Sequence, residues 1–441
     1  MTDGTAALDR RRRQTSVSFA LALLLAAIVI NVGTVLLVRG HSTVAGIDSD
    51  EQEYWSLASG LLNDGISSIP ARRTVPFPLI LASLRAILGD SYLAVQLALS
   101  AVLALVPFVA YLLVRAHFGN ERVARLTGLG ILFWPPFIRY AATLYSDSIA
   151  MLGFLCFLAA LSAAMRGESE FRRMRSATWL FAGALLGVCI QLKPLYLVYV
   201  PIGAALAFAA ERQWARRTIA VVLLMTGTIA ALAPSSVYLS KREGHFMLVT
   251  GNDSETLAGG LNPALLTTHA VYLTGDRRQT WVGPGKWLDA AATGYLTAEE
   301  LRRPYIERRV LLRERSLAWI RSHPAAVAYL TIRKILYMWG IYPFWNGASQ
   351  TLLGNCLLIP LMAAAVVSTV RLRRRAHDTA LFWTLPLFST LVACISWGSW
   401  RFRMPGDVGL IVLAAALTLT PEGEWRRGGE PPPSPAAAET A

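Results

Sequence analysis

The chain has 441 residues, is 54% hydrophobic and only 16% charged, and carries a formal net charge of +14. Its apolar residues fall in long uninterrupted blocks, which excludes a water-soluble globular protein and makes it an integral membrane protein. The excess charge does not describe a nucleic-acid surface, because nearly all of it is arginine collected in short loops between apolar blocks, the positive-inside distribution of polytopic membrane proteins.

Residues 1–16 form a basic N-terminus containing "RRRR" at 10–13, and "VSFALALLLAAIVINVGTVLLV" at 17–38 has the ~20 residues that a spanning helix needs. No small-residue cleavage site follows it before Arg39, so it reads as an uncleaved anchor. Further spans are expected near 91–114, 124–144, 148–165, 177–192, 195–210, 218–239, 350–370, 379–397 and 406–420. This makes an all-α polytopic membrane protein with about ten transmembrane helices, 11 or 12 being the alternatives. The basic clusters at 10–13, 115–125, 166–175, 211–217 and 371–375 are placed in the cytoplasm. By the same parity the apolar blocks at 74–88 and 325–345 do not cross, and lie as short juxtamembrane helices at the outer surface. Cys156, Cys189, Cys356 and Cys394 fall inside membrane segments without metal-binding spacing, so neither a zinc site nor a disulfide framework is indicated.

The expected organisation is a transmembrane module over 17–239 with a large first outer loop at 39–90, an extracytoplasmic loop region with a juxtamembrane helix over 240–349, C-terminal spans over 350–420, and a disordered cytoplasmic tail, 421–441, rich in Pro and Ala. The outer region mixes turn-rich "GNDSETLAGGLNP" and "WVGPGKW" with the helical, arginine-rich "EELRRPYIERRVLLRERSLAWI". It reads as a folded cap whose turns shape a loop over a site. The arginine-rich stretch reads as a solvated helix face.

Polar chemistry converges on the outer side. The first outer loop contains "GIDSDEQEYWSLASGLL" at 46–62, with Asp48, Asp50, Glu51 and Glu53 ahead of an amphipathic stretch that can lie along the membrane. The D-x-x-E spacing at 50–53 is also a helix start with Asp50 as N-cap, a role compatible with a rigid, ionised carboxylate. Arg139, Asp147, Lys193 with Pro194, and "RFRMP" at 401–405 fall at outer helix ends. A charge at the bilayer centre costs ~2.5 to 3.5 kcal/mol, so such residues either snorkel to the interface or mark a site. Their common side favours a site in which Asp48, Asp50, Glu51 and Asp147 face Arg72, Arg73, Arg139, Lys193, Arg401 and Arg403.

That mixture suits transfer of a group from an anionic lipid, and a sugar on a polyprenyl phosphate is one such donor. The leaving group is already a phosphate, so cations stabilise it and no protonating acid is needed. One carboxylate then accepts the proton of an acceptor hydroxyl as an oxocarbenium-like centre develops, with inversion at the anomeric carbon. A secondary transporter or lipid flippase of envelope glycan assembly is the rival reading, and a noncatalytic scaffold the third. Transporters place polar residues near the membrane midplane, between repeats. Here they lie at the outer edge beneath a long loop, which favours an enzyme.

"DEQEYWSLASGLL" resembles the Asp-Glu motif and following helix in the first outer loop of GT-C glycosyltransferases, in particular the family 39-like group that includes the lipid A aminoarabinose transferase and the protein O-mannosyltransferases. "VPFPLILASLRAILGDSYLAVQLALSAVLA", "LYSDSIAMLGFLCFLAAL", "GVCIQLKP", "GGLNP", "HPAAVAYLTIRKILYMWG" and "WRFRMP" continue the resemblance in order, over about 17–420. It implies a GT-C-like bundle in the bacterial cytoplasmic membrane, working at the outer face on a polyprenyl-phosphate-linked sugar donor and a glycan, lipid or protein acceptor. The motif's catalytic acid falls on Asp50, with Glu51 its neighbour, and the second outer-loop acid on Asp147. The donor phosphate is assigned to Arg72, Arg73, Arg139, Lys193, Arg401 and Arg403. Relatives often have a basic residue where this chain has Glu53, and some have Lys-Pro-Pro where it has "RTVPFP". No cofactor is required on this reading. The alternative is a divalent cation (magnesium, manganese or calcium) on Asp48, Asp50 and Asp147, with Glu51 as a further oxygen donor.

Overall fold

The computed structural model of the chain describes residues 2–39, 49–166, 172–267, 293–340, 348–373 and 376–419. Regular structure among them is helical throughout, with no strand. In chain order the helices are α1 (Thr2–Arg39), α2 (Ser49–Asp64), α3 (Pro76–Leu88), α4 (Tyr92–Leu103), α5 (Leu105–Phe118), α6 (Glu121–Leu132), α7 (Pro135–Ala141), α8 (Ser146–Arg166) and α9 (Arg172–Leu192). They continue as α10 (Tyr199–Ala210), α11 (Trp214–Glu243), α12 (Asp253–Gly260), α13 (Ala264–Thr267), α14 (Tyr305–Ser322), α15 (Pro324–Met338), α16 (Ala348–Arg371), α17 (Ala376–Ile395) and α18 (Met404–Ala415).

Six helical stretches among the described residues are long and apolar enough to cross a membrane: Gln14–Arg39, Tyr92–Phe118, Ser146–Arg166, Arg175–Leu192, Trp214–Glu243 and Asp378–Ile395. Pro76–Leu88, Pro194–Ala210 and Cys356–Arg371 are shorter apolar helices. The chain is a multi-pass membrane protein. Two expected spans take a different form. The 124–144 block is not one helix: Trp134 is extended and Pro135 opens α7, so the stretch breaks into α6 and the seven-residue α7. The physical reason is that proline excludes helical backbone from the residue before it. The 406–420 block is α18, only 12 residues long and buried over almost its whole surface, including Asp407. A helix apolar on every face belongs in the centre of a bundle rather than against lipid.

Helices α9 and α11 approach each other backbone to backbone. A Cβ at Gly227 would stand 2.1 Å from the Leu180 carbonyl oxygen, and one at Gly183 2.0 Å from that of Leu224. The Thr228 hydroxyl donates to the Gly183 carbonyl at 3.1 Å across the contact. Without a hydrophobic drive in lipid, helices associate through such close backbone approach and interhelical hydrogen bonds. Gly227→Ala is expected to lower stability by about 1 to 3 kcal/mol through overpacking, measured as thermal unfolding in detergent; an unchanged transition would mean that the helices separate at no cost.

The basic clusters gather at one end. Arg175 pairs with Glu211 at 2.8 Å, joining the α8–α9 and α10–α11 connections. Arg125 donates to the Thr15 carbonyl, and His117 lies 2.9 Å from the Asp378 carbonyl. At the opposite end α2 and α3 follow α1, and the described residues 244–267 and 293–338 build a cap. Its small cores are Ala258, Tyr295, Leu296 and Leu312, and Leu261, Leu265 and Leu330. Of the arginine-rich helix α14, Leu312 and Ser316 are buried while Arg309 and Arg315 pair with Asp253 and Glu300. Residues 268–292, with "WVGPGKW", and residues 420–441 lie outside the described residues.

Candidate active site

The first loop is fixed to the bundle by Glu51. Its carboxylate is fully buried and accepts from Arg39 Nη2 at 2.9 Å, the Leu144 backbone N–H at 2.7 Å and the Tyr92 hydroxyl at 3.4 Å. Arg39 also donates to the Ala142 carbonyl, and Gln96 to that of Ala141. One carboxylate thereby joins the end of α1, the start of α4 and the turn entering α8. Sequence reading placed Glu51 beside Asp50 among the catalytic acids, but burial makes it an anchor, because adjacent residues on a helix point about 100° apart. Glu51→Gln leaves Arg39 without its counter-charge and is expected to cost about 3 kcal/mol; a lower melting temperature with unchanged donor KM in the folded fraction supports the anchor, and a wild-type melting temperature contradicts it.

Asp50 lies in the first turn of α2, where the helix dipole favours a carboxylate. Arg401 Nη1 donates to its Oδ2 at 2.9 Å, and Arg73 Nη2 to its Oδ1 at 3.3 Å. Glu53, one turn on, accepts from Arg72 at 2.7 Å and from Arg73 Nε at 3.0 Å, and so supports the guanidinium that reaches Asp50. Arg73 also lies 5.2 Å over the Tyr54 ring, which packs edge-on against Phe77 of α3. The acidic departure at Glu53 thus has a partner in the arginine pair of "RRTVPFP".

Asp147 occupies the first turn of α8. Lys193 Nζ donates to its Oδ2 at 2.9 Å, and Arg401 Nε stands 3.8 Å from the same oxygen. Lys193 reaches this point because Pro194 ends α9 and sets Lys193 in extended backbone. Arg401 is presented by the short 3-10 turn Trp400–Arg403, with Pro405 at the start of α18. Its guanidinium bridges Asp50 and Asp147, lies over the rings of Tyr145 (5.0 Å) and Phe402 (5.3 Å), and keeps a buried Nε–H without an acceptor among the described residues. Such a donor suits an anionic oxygen.

Asp147, Lys193 and Arg401 line a cleft whose other walls are apolar or aromatic: Met151, Leu195, Tyr196, Phe388, Val392 and Phe402. Burial raises the Asp50 carboxyl, but Arg401, Arg73 and Lys193 outweigh it and hold the group below the usual carboxylate range. Burial likewise opposes the charge on Arg401, and Asp147 and Asp50 keep it firmly protonated. For Lys193 burial wins, drawing the amine below its usual range against the pull of Asp147.

The residues present do not fit a divalent ion between Asp50 and Asp147. Their carboxylates already share the Arg401 guanidinium, and no group of three His, Cys, Asp or Glu side chains suited to a metal occurs among the described residues. Asp48 lies outside those residues. Of the six basic residues assigned to the donor phosphate, Arg73, Lys193 and Arg401 meet at the carboxylates. Arg72 stands at the rim on Glu53, and Arg139 is exposed on α7. Arg403 is turned away: it donates to Asp407 at 2.8 Å and to the Met338 carbonyl at 2.9 Å, while Trp134 donates to the other Asp407 oxygen at 2.8 Å. That buried set ties α18 to α7 and α15. Sequence reading missed Asp407, Tyr145 and Phe402; the i,i+4 spacing of Arg403 and Asp407 was the available signal for the first.

Residues 73–238 match the sequence profile of the dolichyl-phosphate-mannose-protein mannosyltransferase family. The archaeal oligosaccharyltransferase AglB from Archaeoglobus fulgidus, solved with an inhibitory peptide and a dolichol-phosphate, superposes with a TM-score of 0.55 at 14% identity over 90% of this chain and 50% of its own. The Archaeoglobus fulgidus oligosaccharyltransferase in the apo form gives a TM-score of 0.50 at 13% identity with the same coverages, so this chain spans about half the length of the oligosaccharyltransferases it matches. Curated protein sequences give no match. The profile covers Arg73, Asp147 and Lys193; Asp50 and Arg401 join them through the fold alone.

Proposed function

We propose that this chain is a GT-C glycosyltransferase of the inverting kind that moves a sugar from a polyprenyl-phosphate donor to an acceptor hydroxyl at the outer face of the bacterial cytoplasmic membrane. The observation that carries the reading is the cleft: an apolar wall for a lipid, with Arg401 and Lys193 set where a phosphate would sit, beside the half-exposed carboxylate of Asp50. The family profile and the dolichol-phosphate in the AglB structure support a lipid-linked donor. The basic clusters at the far end of the bundle support an outward-facing site.

In the proposed reaction the bond from the anomeric carbon to the phosphate oxygen breaks while the acceptor oxygen bonds to the opposite face of the same carbon. Asp50 takes the acceptor's proton. Both electrons of the broken bond leave with the polyprenyl phosphate, whose growing negative charge meets the free N–H of Arg401 and the ammonium of Lys193. Asp147 holds those two cations in register, and no general acid is needed. Proteoliposomes given polyprenyl-phosphate-linked sugars and an envelope extract test the reading: transfer should release free polyprenyl phosphate and give a product of inverted anomeric configuration by NMR. Retention of configuration, or movement of the intact lipid without cleavage, contradicts it, the latter in favour of a flippase.

A further inference from the structure

Lys334 lies on α15, outside the cluster described above, and its side chain is completely buried. Its ammonium donates to the Ser396 carbonyl at 2.7 Å and to the Cys394 carbonyl at 3.1 Å. Both acceptors belong to the C-terminal end of α17, where carbonyls point out of the helix unpaired and carry the negative end of its dipole. Burial draws the amine down to about 7, so holding a cation here is unfavourable in itself.

The chain leaving α17 runs from Ser396 to Trp400 and then presents Arg401. It is clamped from two sides. A Cβ at Gly398 would stand 2.3 Å from the Lys334 backbone carbonyl oxygen, and a Cβ at Gly260, the last residue of α12, 2.5 Å from the Ser396 carbonyl oxygen. Backbone contacts this close leave the strap one path between the cap helices α12 and α15. Phe402, next to Arg401, lies 5.2 Å from the Lys193 ammonium, so a shift of the strap disturbs both phosphate-facing cations.

Resting on the proposed lipid-phosphate site, we infer that Lys334 is a positioning residue: with Gly260 and Gly398 it fixes the Ser396–Trp400 strap so that Arg401 spans Asp50 and Asp147 and offers its free N–H to the donor phosphate. The cap helices thereby set the geometry of the donor site without touching the donor.

Farnesyl phosphate, a short polyprenyl phosphate, serves as the probe, titrated against the purified full-length protein in detergent. The wild type should bind it. Lys334→Met should weaken binding about tenfold or more, Lys334→Arg should keep binding near wild type, and Gly398→Ala, which displaces the same strap by another route, should weaken it as Lys334→Met does. The double variant Lys334→Met/Arg401→Gln should bind no more weakly than Arg401→Gln alone, because Lys334 acts through Arg401. A merely structural lysine would lower the melting temperature and leave the affinity of the folded fraction unchanged, and that result, or additive losses in the double variant, overturns the inference. If the wild type itself does not bind, the lipid-phosphate reading fails, a different outcome from wild-type binding that Lys334→Met leaves intact.

Discussion

Asp50→Asn is expected to reduce sugar transfer by about 10² to 10⁴, the range that general-base catalysis supplies, or roughly 3 to 5 kcal/mol of barrier. Asparagine keeps the shape of the side chain and an oxygen for Arg401 and Arg73, so helix α2, held separately by Glu51, should insert and fold normally. What it loses is the capacity to take the acceptor's proton. The pH profile adds a second expectation. Because Arg401, Arg73 and Lys193 hold the carboxyl below its ordinary range, Asp50 stays ionised at every pH above about 4. The proton-accepting form is lost only as pH falls through that depressed value, so Asp50 imposes no acid limb on the rate between pH 5 and 8. Initial rates of donor consumption in proteoliposomes check both points. A fully active Asp50→Asn would remove Asp50 as the base, and an acid limb near pH 6 that vanishes in the variant would show a carboxyl raised rather than lowered.

Arg401→Gln is expected to act on the other half of the reaction. Removing one preorganised donor from a developing anion costs about 10² to 10³ in rate. Here the side chain also joins Asp50 to Asp147, each of which keeps one other cation, Arg73 and Lys193 respectively. The variant should therefore fold, raise the donor KM and lower kcat, with little effect on the acceptor KM. Arg401→Lys should recover only part of the loss, since a point ammonium cannot reach two carboxylates and keep a third donor for phosphate as a planar guanidinium does. Donor dependence equal to that of the wild type in both variants would take Arg401 out of the phosphate site.

Much of this site was legible in the sequence because charge at a membrane edge is unfavourable and therefore informative. Asp50, Asp147, Lys193 and Arg401 could be gathered from four distant segments by asking only which ends of apolar blocks share a side. What sequence could not separate were close neighbours. Asp50 and Glu51 are adjacent carboxylates at one helix start, yet one is 30% exposed beside the cleft and the other wholly buried against Arg39. Arg401 and Arg403 differ by two positions, and only packing shows that the second belongs to Asp407 and the Met338 carbonyl. Lys334 was hidden differently: in "TIRKILYMWG" a lysine beside an arginine reads as a snorkelling pair, and its carbonyl partners sit 60 and 62 residues away in a stretch with no polar signal.

The fold shows the same division. The long apolar blocks and the basic connections between them gave the bundle and its two ends. The block at 124–144 reads as one span from its apolar length between charged ends, whereas the two prolines of "FWPPF" state the break directly. The depth of α18 was not readable at all. A 12-residue apolar run fits a short span and a central helix equally well, and only the packing of α16, α17 and α6 around it decides.

A chain that consumes a polyprenyl-phosphate-linked sugar to modify one acceptor leaves unused donor and unmodified acceptor behind when it is removed. Mass spectrometry of lipid-linked sugars and envelope glycans, in cells lacking the chain and in the same cells supplied with wild type or with Asp50→Asn, tests it most directly. The deletion is expected to accumulate one lipid-linked sugar and to lack one glycan modification, wild type to reverse both, and Asp50→Asn to reverse neither although it reaches the membrane at a normal level. Unchanged lipid-linked sugars and glycans in the deletion, or full restoration by Asp50→Asn, would contradict it.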